Sequence, residues 1–162
     1  MPPRRISPAP RAPSTLHVAE SPAAYARRPR IVADATVLAA ALFREAEHRE
    51  AVALLAGRAL AAPHLLDYEL ANVALKKLRR ERLPREAVEE ALDAYRSLAI
   101  ERHGIDPAAI LALSQRYLLT AYDSAYLWLA ERLGAPLATF DAQLARAARE
   151  HLAAGTGADD AN

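Results

Sequence analysis

The chain of 162 residues is 52% hydrophobic with a formal net charge of +1, which suits one compact domain with a full core and excludes a second domain of comparable size. The absence of cysteine excludes disulfides, thiolate zinc sites and cysteine nucleophiles, and it favours an intracellular, cytoplasmic protein. The five histidines show no metal-ligand spacing, no apolar stretch approaches the roughly 20 residues of a membrane span, and the N-terminus lacks the apolar core of a signal peptide.

Charge is distributed unevenly along the chain. Residues 1–30 hold six arginines against one glutamate, so the remainder is net acidic and gives no case for a generic nucleic-acid binder. Residues 1–29 are rich in Pro, Ala, Arg and Ser without periodicity, which predicts a disordered tail. Its arginines either attract RNA weakly or belong to a dispensable extension or a misplaced translation start. We expect one globular domain over residues 30–153 and a flexible tail over residues 154–162.

Short apolar runs alternate with helical periodicities through this domain. Gly57 and Gly134 are expected to end helices, Pro63 to open one, and Asp106-Pro107 to begin another. The predicted strands are residues 30–33, 58–62, 100–103 and 137–140, and the predicted helices are residues 36–43, 48–56, 64–82, 84–98, 107–117, 120–133 and 141–152. This alternation predicts an α/β fold with a central parallel sheet flanked by helices, and a binding crevice outside the carboxyl ends of the strands.

Four acidic residues are predicted to meet at that edge of the sheet. Asp34 and Asp141 each follow a strand, Asp123 lies in the first turn of the helix that enters the last strand, and Glu69 borders the apolar stripe of the third helix. Carboxylates gathered without a basic partner repel one another unless protons or a cation lie between them. Hard oxygen ligands without His or Cys suit Mg²⁺ or Mn²⁺, which activate water for attack on phosphorus. The pattern therefore favours phosphodiester hydrolysis.

Each acid also has a purely structural explanation. Asp34 and Asp141 would each cap the helix that follows. Asp123 would form a variant capping box with Thr120, and Glu69 would be a solvated helix residue. Any one of these explanations is reasonable alone, but four of them at one predicted edge are a less economical account than a common site.

Four motifs resemble those of a known family. The motifs are Ile31-Val32-Ala33-Asp34-Ala35-Thr36-Val37-Leu38, Glu69-Leu70-Ala71-Asn72-Val73, Leu119-Thr120-Ala121-Tyr122-Asp123-Ser124-Ala125-Tyr126-Leu127-Trp128-Leu129-Ala130 and Ala138-Thr139-Phe140-Asp141. Together they resemble the PIN-domain ribonucleases, and most closely the VapC-type toxins of bacterial toxin-antitoxin pairs. The resemblance covers about residues 31–152, and the helix from Thr120 is its most specific part.

The resemblance carries expectations beyond the residues themselves. It implies a Rossmann-like sheet, a homodimer, Mg²⁺-dependent cleavage of single-stranded or looped RNA, and a small antitoxin that blocks the acidic pocket. By motif, the catalytic acids would be Asp34, Glu69, Asp123 and Asp141, of which Asp34, Asp123 and Asp141 would hold the metal, with Thr36, Thr139 and Asn72 as supporting polar residues.

A cluster of cations ends the helix that carries Glu69. Its members are Lys76, Lys77, Arg79, Arg80, Arg82 and Arg85, of which the first four are the candidate RNA-binding residues. Local positive charge of this kind positions phosphates. Alternatively, the cations complement the dipole at the C-terminus of the helix and solvate its surface, and the sequence favours neither explanation.

Two other enzyme and signalling classes are disfavoured by single positions. A phosphoaspartyl phosphatase would need a second acid two residues after Asp34, where the chain has Thr36. A receiver-type signalling module would need a lysine after a late strand, where the chain has Asp141. The remaining alternative is a non-catalytic module of the same fold that binds RNA or a protein partner.

Overall fold

The sheet of the computed structural model, which describes residues 28–155, has four parallel strands in the order β3-β2-β1-β4. The strands are β1 Arg30–Ala33, β2 Ala59–Pro63, β3 Ile100–His103 and β4 Leu137–Ala138. β1 is central, because its residues Ile31 and Val32 pair with β2 on one side while Val32 and Ala33 pair with β4 on the other. A central strand in a parallel sheet is covered on both faces, which explains its continuous apolar run.

Helices connect and cover the strands. Within the described residues they are α1 Ala35–Leu42, α2 His48–Leu55, α3 Leu66–Arg79, α4 Arg85–Ser97, α5 Pro107–Tyr117, α6 Ala121–Leu133 and α7 Ala142–Gly155. The first four pack in one group, through contacts of α1 with α2, α3 and α4 and of α3 with α4. The last three pack in a second group, and α6 also lies against β1, β2 and β4.

The core runs from the central strand into α1 and α6. Val32 is fully buried in β1, Leu38 in α1, and Leu127 and Leu129 in α6. Burial of such side chains stabilises a fold by roughly 1.5–3 kcal/mol each. The core therefore fixes the carboxyl end of β1 and the start of α6 relative to one another, and both positions carry candidate site residues.

The predicted α/β architecture is confirmed, and each predicted strand and helix is present among the described residues. Asp106 accepts a hydrogen bond from the Ala108 N–H at 2.9 Å and caps α5 as expected. Gly57 and Gly134 adopt positive φ angles of 70° and 54° after α2 and α6, a backbone region that favours glycine. The predicted tails, residues 1–29 and 154–162, lie almost entirely outside the described residues.

Several boundaries differ from the prediction by one to three residues, and two of these differences have identifiable reasons. Pro63 does not open a helix: it is the last residue of β2, opposite His103 of β3, and the His64 N–H extends the ladder by donating to the His103 carbonyl at 3.0 Å. α3 therefore begins only at Leu66. β4 ends at Ala138 rather than at residue 140, because hydrogen bonds to side chains replace the ladder beyond that point. No helix in the described part of the chain is long and apolar enough to cross a membrane.

Candidate active site

Asp34 follows the buried strand β1 and is itself only 5% exposed. It occupies the N-cap position of α1, yet its side chain makes no capping hydrogen bond. Instead, its Oδ2 atom accepts hydrogen bonds from the hydroxyls of Thr36 and Thr139, each at 2.7 Å. The explanation of Asp34 as only a helix cap is therefore wrong, and the carboxylate is oriented by two hydroxyl donors.

The loop after β4 is fastened to the end of β1 by the same two threonines. The Phe140 N–H donates to Thr36 Oγ1 at 3.0 Å, and the Asp141 N–H donates to Thr139 Oγ1 at 2.9 Å. Asp141 Oδ1 accepts from the Leu144 N–H at 2.7 Å, so the predicted cap of α7 is real. That cap uses one carboxylate oxygen and leaves Asp141 at the same cleft as Asp34.

Glu69 lies in the first turn of α3 and is partly buried. Its Oε2 atom accepts a short hydrogen bond from the hydroxyl of Tyr126, a residue of α6 that is 1% exposed. Burial, with the negative charges of Asp34 and Asp123 as smaller contributions, raises the pKa of Glu69 to about 7 against the opposing effect of the Tyr126 bond. The explanation of Glu69 as a solvated helix residue is therefore wrong.

Burial also raises the pKa of Asp34, and the charge of Asp123 adds to the shift. The hydroxyls of Thr36 and Thr139 oppose it by stabilising the ionised form. Desolvation is thus the main cause of the raised pKa of both Asp34 and Glu69, and repulsion between acids is a secondary cause. Because the charge of Asp123 acts on both Asp34 and Glu69, and that of Asp34 acts on Glu69, the three carboxyls are close neighbours.

Asp123 combines a cap with a position at the cleft. Its N–H donates to Thr120 Oγ1 at 3.1 Å, and the Thr120 hydroxyl donates back to Asp123 Oδ2 at 2.6 Å. The predicted variant of the capping box is therefore confirmed, with the acid bonded to the hydroxyl rather than to the backbone of the N-cap residue. The cap does not exclude a second role, because the same carboxylate lines the cleft and acts on Asp34 and Glu69.

One cleft of about 890 Å³ at the carboxyl edge of the sheet contains all four predicted acids. Its lining also includes Thr36, Asn72, Lys76 and Lys77, whereas Thr139 holds Asp34 without lining the cleft. Among the described residues, no three His, Cys, Asp or Glu side chains are close enough to form a ready ligand group for a metal ion. The four acids line one cleft, but no three of them are close enough together to form a preformed metal site.

Comparison with known proteins identifies the family. A family model described as PIN domain matches residues 31–150. The chain belongs to the PIN-domain family. It is 35% identical over 114 residues to the VapC ribonuclease Mb0985 of Mycobacterium bovis, covering 70% of this chain and 87% of the relative. It is also 34% identical over 119 residues to ribonuclease VapC3 of Mycobacterium tuberculosis, covering 73% and 87% of the two chains.

A solved structure has the same fold. The crystal structure of PAE2754 from Pyrobaculum aerophilum matches with a TM-score of 0.60 at 23% identity, and the match covers 80% of this chain and 91% of that one. The resemblance to VapC-type proteins is confirmed by the two mycobacterial relatives, because the match covers 87% of each of them. The four-stranded parallel sheet lies within the residues that match the PIN-domain model.

The cation cluster of this PIN domain divides into two parts. Lys77 is 7% exposed, and its ammonium group pairs with Glu45 at 2.6 Å and Glu81 at 2.8 Å. Lys76, Arg79 and Arg80 are exposed and line a second hollow of about 310 Å³ together with Asn72. Asn72 and Lys76 line both hollows, so the acidic cleft continues into the basic one.

Several residues that shape this site were not among those predicted from the sequence. Tyr126 holds Glu69, and Glu45 and Glu81 neutralise Lys77. Tyr68 and Tyr122 line the cleft beside Glu69 and Asp123. For the two exposed tyrosines a signal existed, since each directly precedes a candidate acid in the sequence. The contacts of Tyr126 and Glu45 join distant segments and leave no local pattern.

Proposed function

We propose that this PIN domain is a Mg²⁺- or Mn²⁺-dependent endoribonuclease that acts as the toxin of a toxin-antitoxin pair. The observation that carries the proposal is the convergence of four carboxylates on one cleft, in which burial and neighbouring negative charge raise the pKa values of Asp34 and Glu69. Lys77, the buried cation at the rim, is neutralised by Glu45 and Glu81. The cleft therefore favours a positively charged occupant.

The donor set fits a hard divalent cation. Carboxylate oxygens from Asp34, Asp123 and Asp141 would hold it, and the described chain brings neither cysteine nor histidine to the cleft lining. Mg²⁺ keeps several waters and usually binds one or two carboxylates directly, so the third acid would hold it through a bound water and a ready group of three acids is not required. When bound, such an ion supplies an activated water and stabilises charge on a phosphodiester in hydrolysis.

Protein groups around the ion position have separable tasks. Thr36 and Thr139 both donate to Asp34 Oδ2, so neither hydroxyl occupies the other oxygen of this cleft-lining carboxylate. Glu69, with its pKa raised to about 7, exchanges a proton near neutral pH, as a general base requires. Tyr126 fixes the orientation of that carboxylate. Asn72 offers an amide to phosphate or sugar oxygens from the next turn of α3.

The names of the relatives support the reaction and the partners. The matching proteins from both mycobacteria are named ribonucleases, which favours RNA as the substrate here. The VapC names also favour a cognate antitoxin, which we place over the cleft. A homodimer that acts in the cytoplasm completes the proposal and follows from the family resemblance rather than from the names. Light scattering on the purified protein tests the dimer by its mass.

The proposal is tested by cleavage of a single-stranded RNA in chelator and across a titration of Mg²⁺ or Mn²⁺. We expect cleavage only with the ion, and a loss of at least about 100-fold in Asp34→Asn, Asp123→Asn and Asp141→Asn. Asp93→Asn removes an exposed acid of α4 outside the cleft and serves as the matched control. Equal activity of Asp34→Asn and Asp93→Asn would show that the cleft around Asp34 is not the catalytic site. RNA binding without cleavage at any ion concentration would identify a non-catalytic PIN module.

A further inference from the structure

Two exposed tyrosines stand beside the acids of the cleft. Tyr68 of α3 is 77% exposed and precedes Glu69, and Tyr122 of α6 is 65% exposed and precedes Asp123. Both rings line the same cleft as Asp34. The cleft therefore combines carboxylates with two exposed aromatic side chains that come from different helices.

The other tyrosines of the described chain are placed differently. Tyr95 and Tyr126 are buried, Tyr117 is partly buried, and all three hydroxyls take part in hydrogen bonds. Those rings are explained by packing. A single exposed tyrosine needs no explanation, but two at the rim of one functional cleft indicate a contact surface.

The charge of the cleft explains why aromatic faces would be needed there. A substrate strand brings phosphates toward Asp34, Glu69 and Asp123, which repel them before any ion compensates. The exposed cations Arg79 and Arg80 lie in the adjoining hollow and Lys76 lines both hollows, so these three side chains attract the backbone to one side of the acids. Base stacking does not depend on phosphate charge, so it supports binding beside the acids even before an ion is bound.

We infer that Tyr68 and Tyr122 are positioning residues on which unpaired RNA bases stack, so that the strand crosses the acidic cleft with its backbone continuing toward Lys76, Arg79 and Arg80. The inference rests on the proposed ribonuclease function and adds the residues that hold the substrate. Stacking requires a free base face, so bases in a duplex cannot use these rings. The two tyrosines would thus select unpaired segments without reading a particular sequence.

The test is equilibrium binding of a short single-stranded RNA with a central 2-aminopurine, whose fluorescence is quenched by stacking. It is measured in chelator, with a gel to verify that the RNA stays intact. We expect wild-type protein to quench the probe, and Tyr68→Ala and Tyr122→Ala each to weaken binding by about 5- to 100-fold and to reduce the quench. Tyr68→Phe and Tyr122→Phe keep the ring and should bind like wild type.

Leu111→Ala is the matched control, since Leu111 is 60% exposed on α5 and does not line the cleft. Unchanged RNA binding by both alanine variants would overturn the inference and leave the rings as a docking surface for a protein. A loss as large in the phenylalanine variants would overturn it too, because the hydroxyl and not the ring would then make the contact. Cleavage assays distinguish the two proposals. If the alanine variants bind and cleave RNA like wild type, only the stacking inference is refuted. If wild-type protein quenches the probe but cleaves no RNA with added ion, only the proposed ribonuclease activity is refuted.

Discussion

The hydroxyl of Tyr126 donates a hydrogen bond to Glu69 across the junction of α6 and α3. Tyr126 is almost completely buried, so its position is set by the core, and the core thereby fixes a carboxylate at the edge of the acidic cleft. The bond lowers the pKa of Glu69, but burial and the charges of Asp34 and Asp123 outweigh it and leave the pKa at about 7. One packed side chain thus orients the acid and moderates its ionisation.

Removing this hydroxyl should move the pH dependence of RNA cleavage. In Tyr126→Phe, the carboxylate of Glu69 loses a donor that favours its ionised form, so its pKa rises above the value of about 7. We expect the rising limb of kcat/KM against pH to move upward by about one pH unit. Tyr95→Phe is the control, because it removes a comparable buried hydroxyl that donates to Asp67 in the groove between α3 and α4. An identical limb in wild type and Tyr126→Phe would show that Glu69 is not the titrating group.

Glu69 should also make the metal-free protein less stable as pH rises. Its pKa is 4.5 ordinarily and about 7 when folded, so between these values the unfolded chain releases the proton first and the free energy of unfolding falls. Below this window the carboxyl is neutral in both states, and above it the loss is constant. Glu69→Gln keeps an acceptor for Tyr126 and removes the charge, so at pH 8 it should be more stable than wild type by about 1–2 kcal/mol.

Thermal or urea melts in chelator at several pH values check this expectation. The two proteins should have nearly equal stability near pH 4 and diverge as pH rises toward about 7. Asp67 and Glu81 have lowered pKa values, so they make both proteins less stable as pH falls. Because both proteins contain them, this effect cancels in the difference between the two free energies of unfolding. A constant difference at all pH values would trace the effect to packing rather than to ionisation.

Thr139 should affect metal affinity through Asp34. Its hydroxyl donates to Asp34 Oδ2 and accepts from the Asp141 N–H, so one side chain orients two proposed ligands. Loss of such an outer contact typically weakens metal binding by about 10- to 100-fold, which is the expectation for Thr139→Val by calorimetry with Mn²⁺. Thr139→Ser restores the hydroxyl and should recover most of the affinity. Equal affinities for the valine and serine variants would limit Thr139 to a structural role in the loop.

The sequence predicted those parts of the site that depend on local patterns. A buried run followed by an acid placed Asp34 correctly, and the three-residue spacing from Thr120 to Asp123 predicted a cap that the structure contains. Parallel strands then brought Asp34 and Asp141 to one edge by topology alone. Strand burial and helix capping are decided within a few residues, so local patterns suffice to predict them.

The parts that were not predictable depend on contacts between distant segments. Tyr126 and Glu69 are 57 positions apart, and no periodicity in either helix reveals that they meet. Proline is common at the first position of a helix, but Pro63 pairs with His103 of β3 and therefore ends a strand. Lys77 lies in a run of cations that looks uniformly solvated, yet α3 turns its side chain inward toward Glu45 in the segment after α1. Tertiary packing overrides local preference at each of these positions.

The cations of α3 should therefore respond to mutation in two different ways. Lys77 is buried between Glu45 and Glu81, and although burial opposes its charge, these partners raise its pKa. Lys77→Met leaves both glutamates without their partner, so we expect a loss of about 1–3 kcal/mol in the free energy of unfolding, moderated by the partial exposure of the glutamates.

Neutralising Lys76, Arg79 and Arg80 to glutamine should leave the melting temperature nearly unchanged and weaken RNA binding instead. Each phosphate contact that is lost should reduce the slope of log affinity against log salt by about 0.7, the value for single strands, because fewer counterions are released. Anisotropy titrations of a single-stranded RNA over a range of salt, with melts of the same proteins, measure both effects. An unchanged salt slope in the triple variant would assign these side chains to solvation of the helix end. A stable Lys77→Met protein with a reduced slope would instead place Lys77 on the RNA, since an internal ion pair cannot release counterions from the nucleic acid.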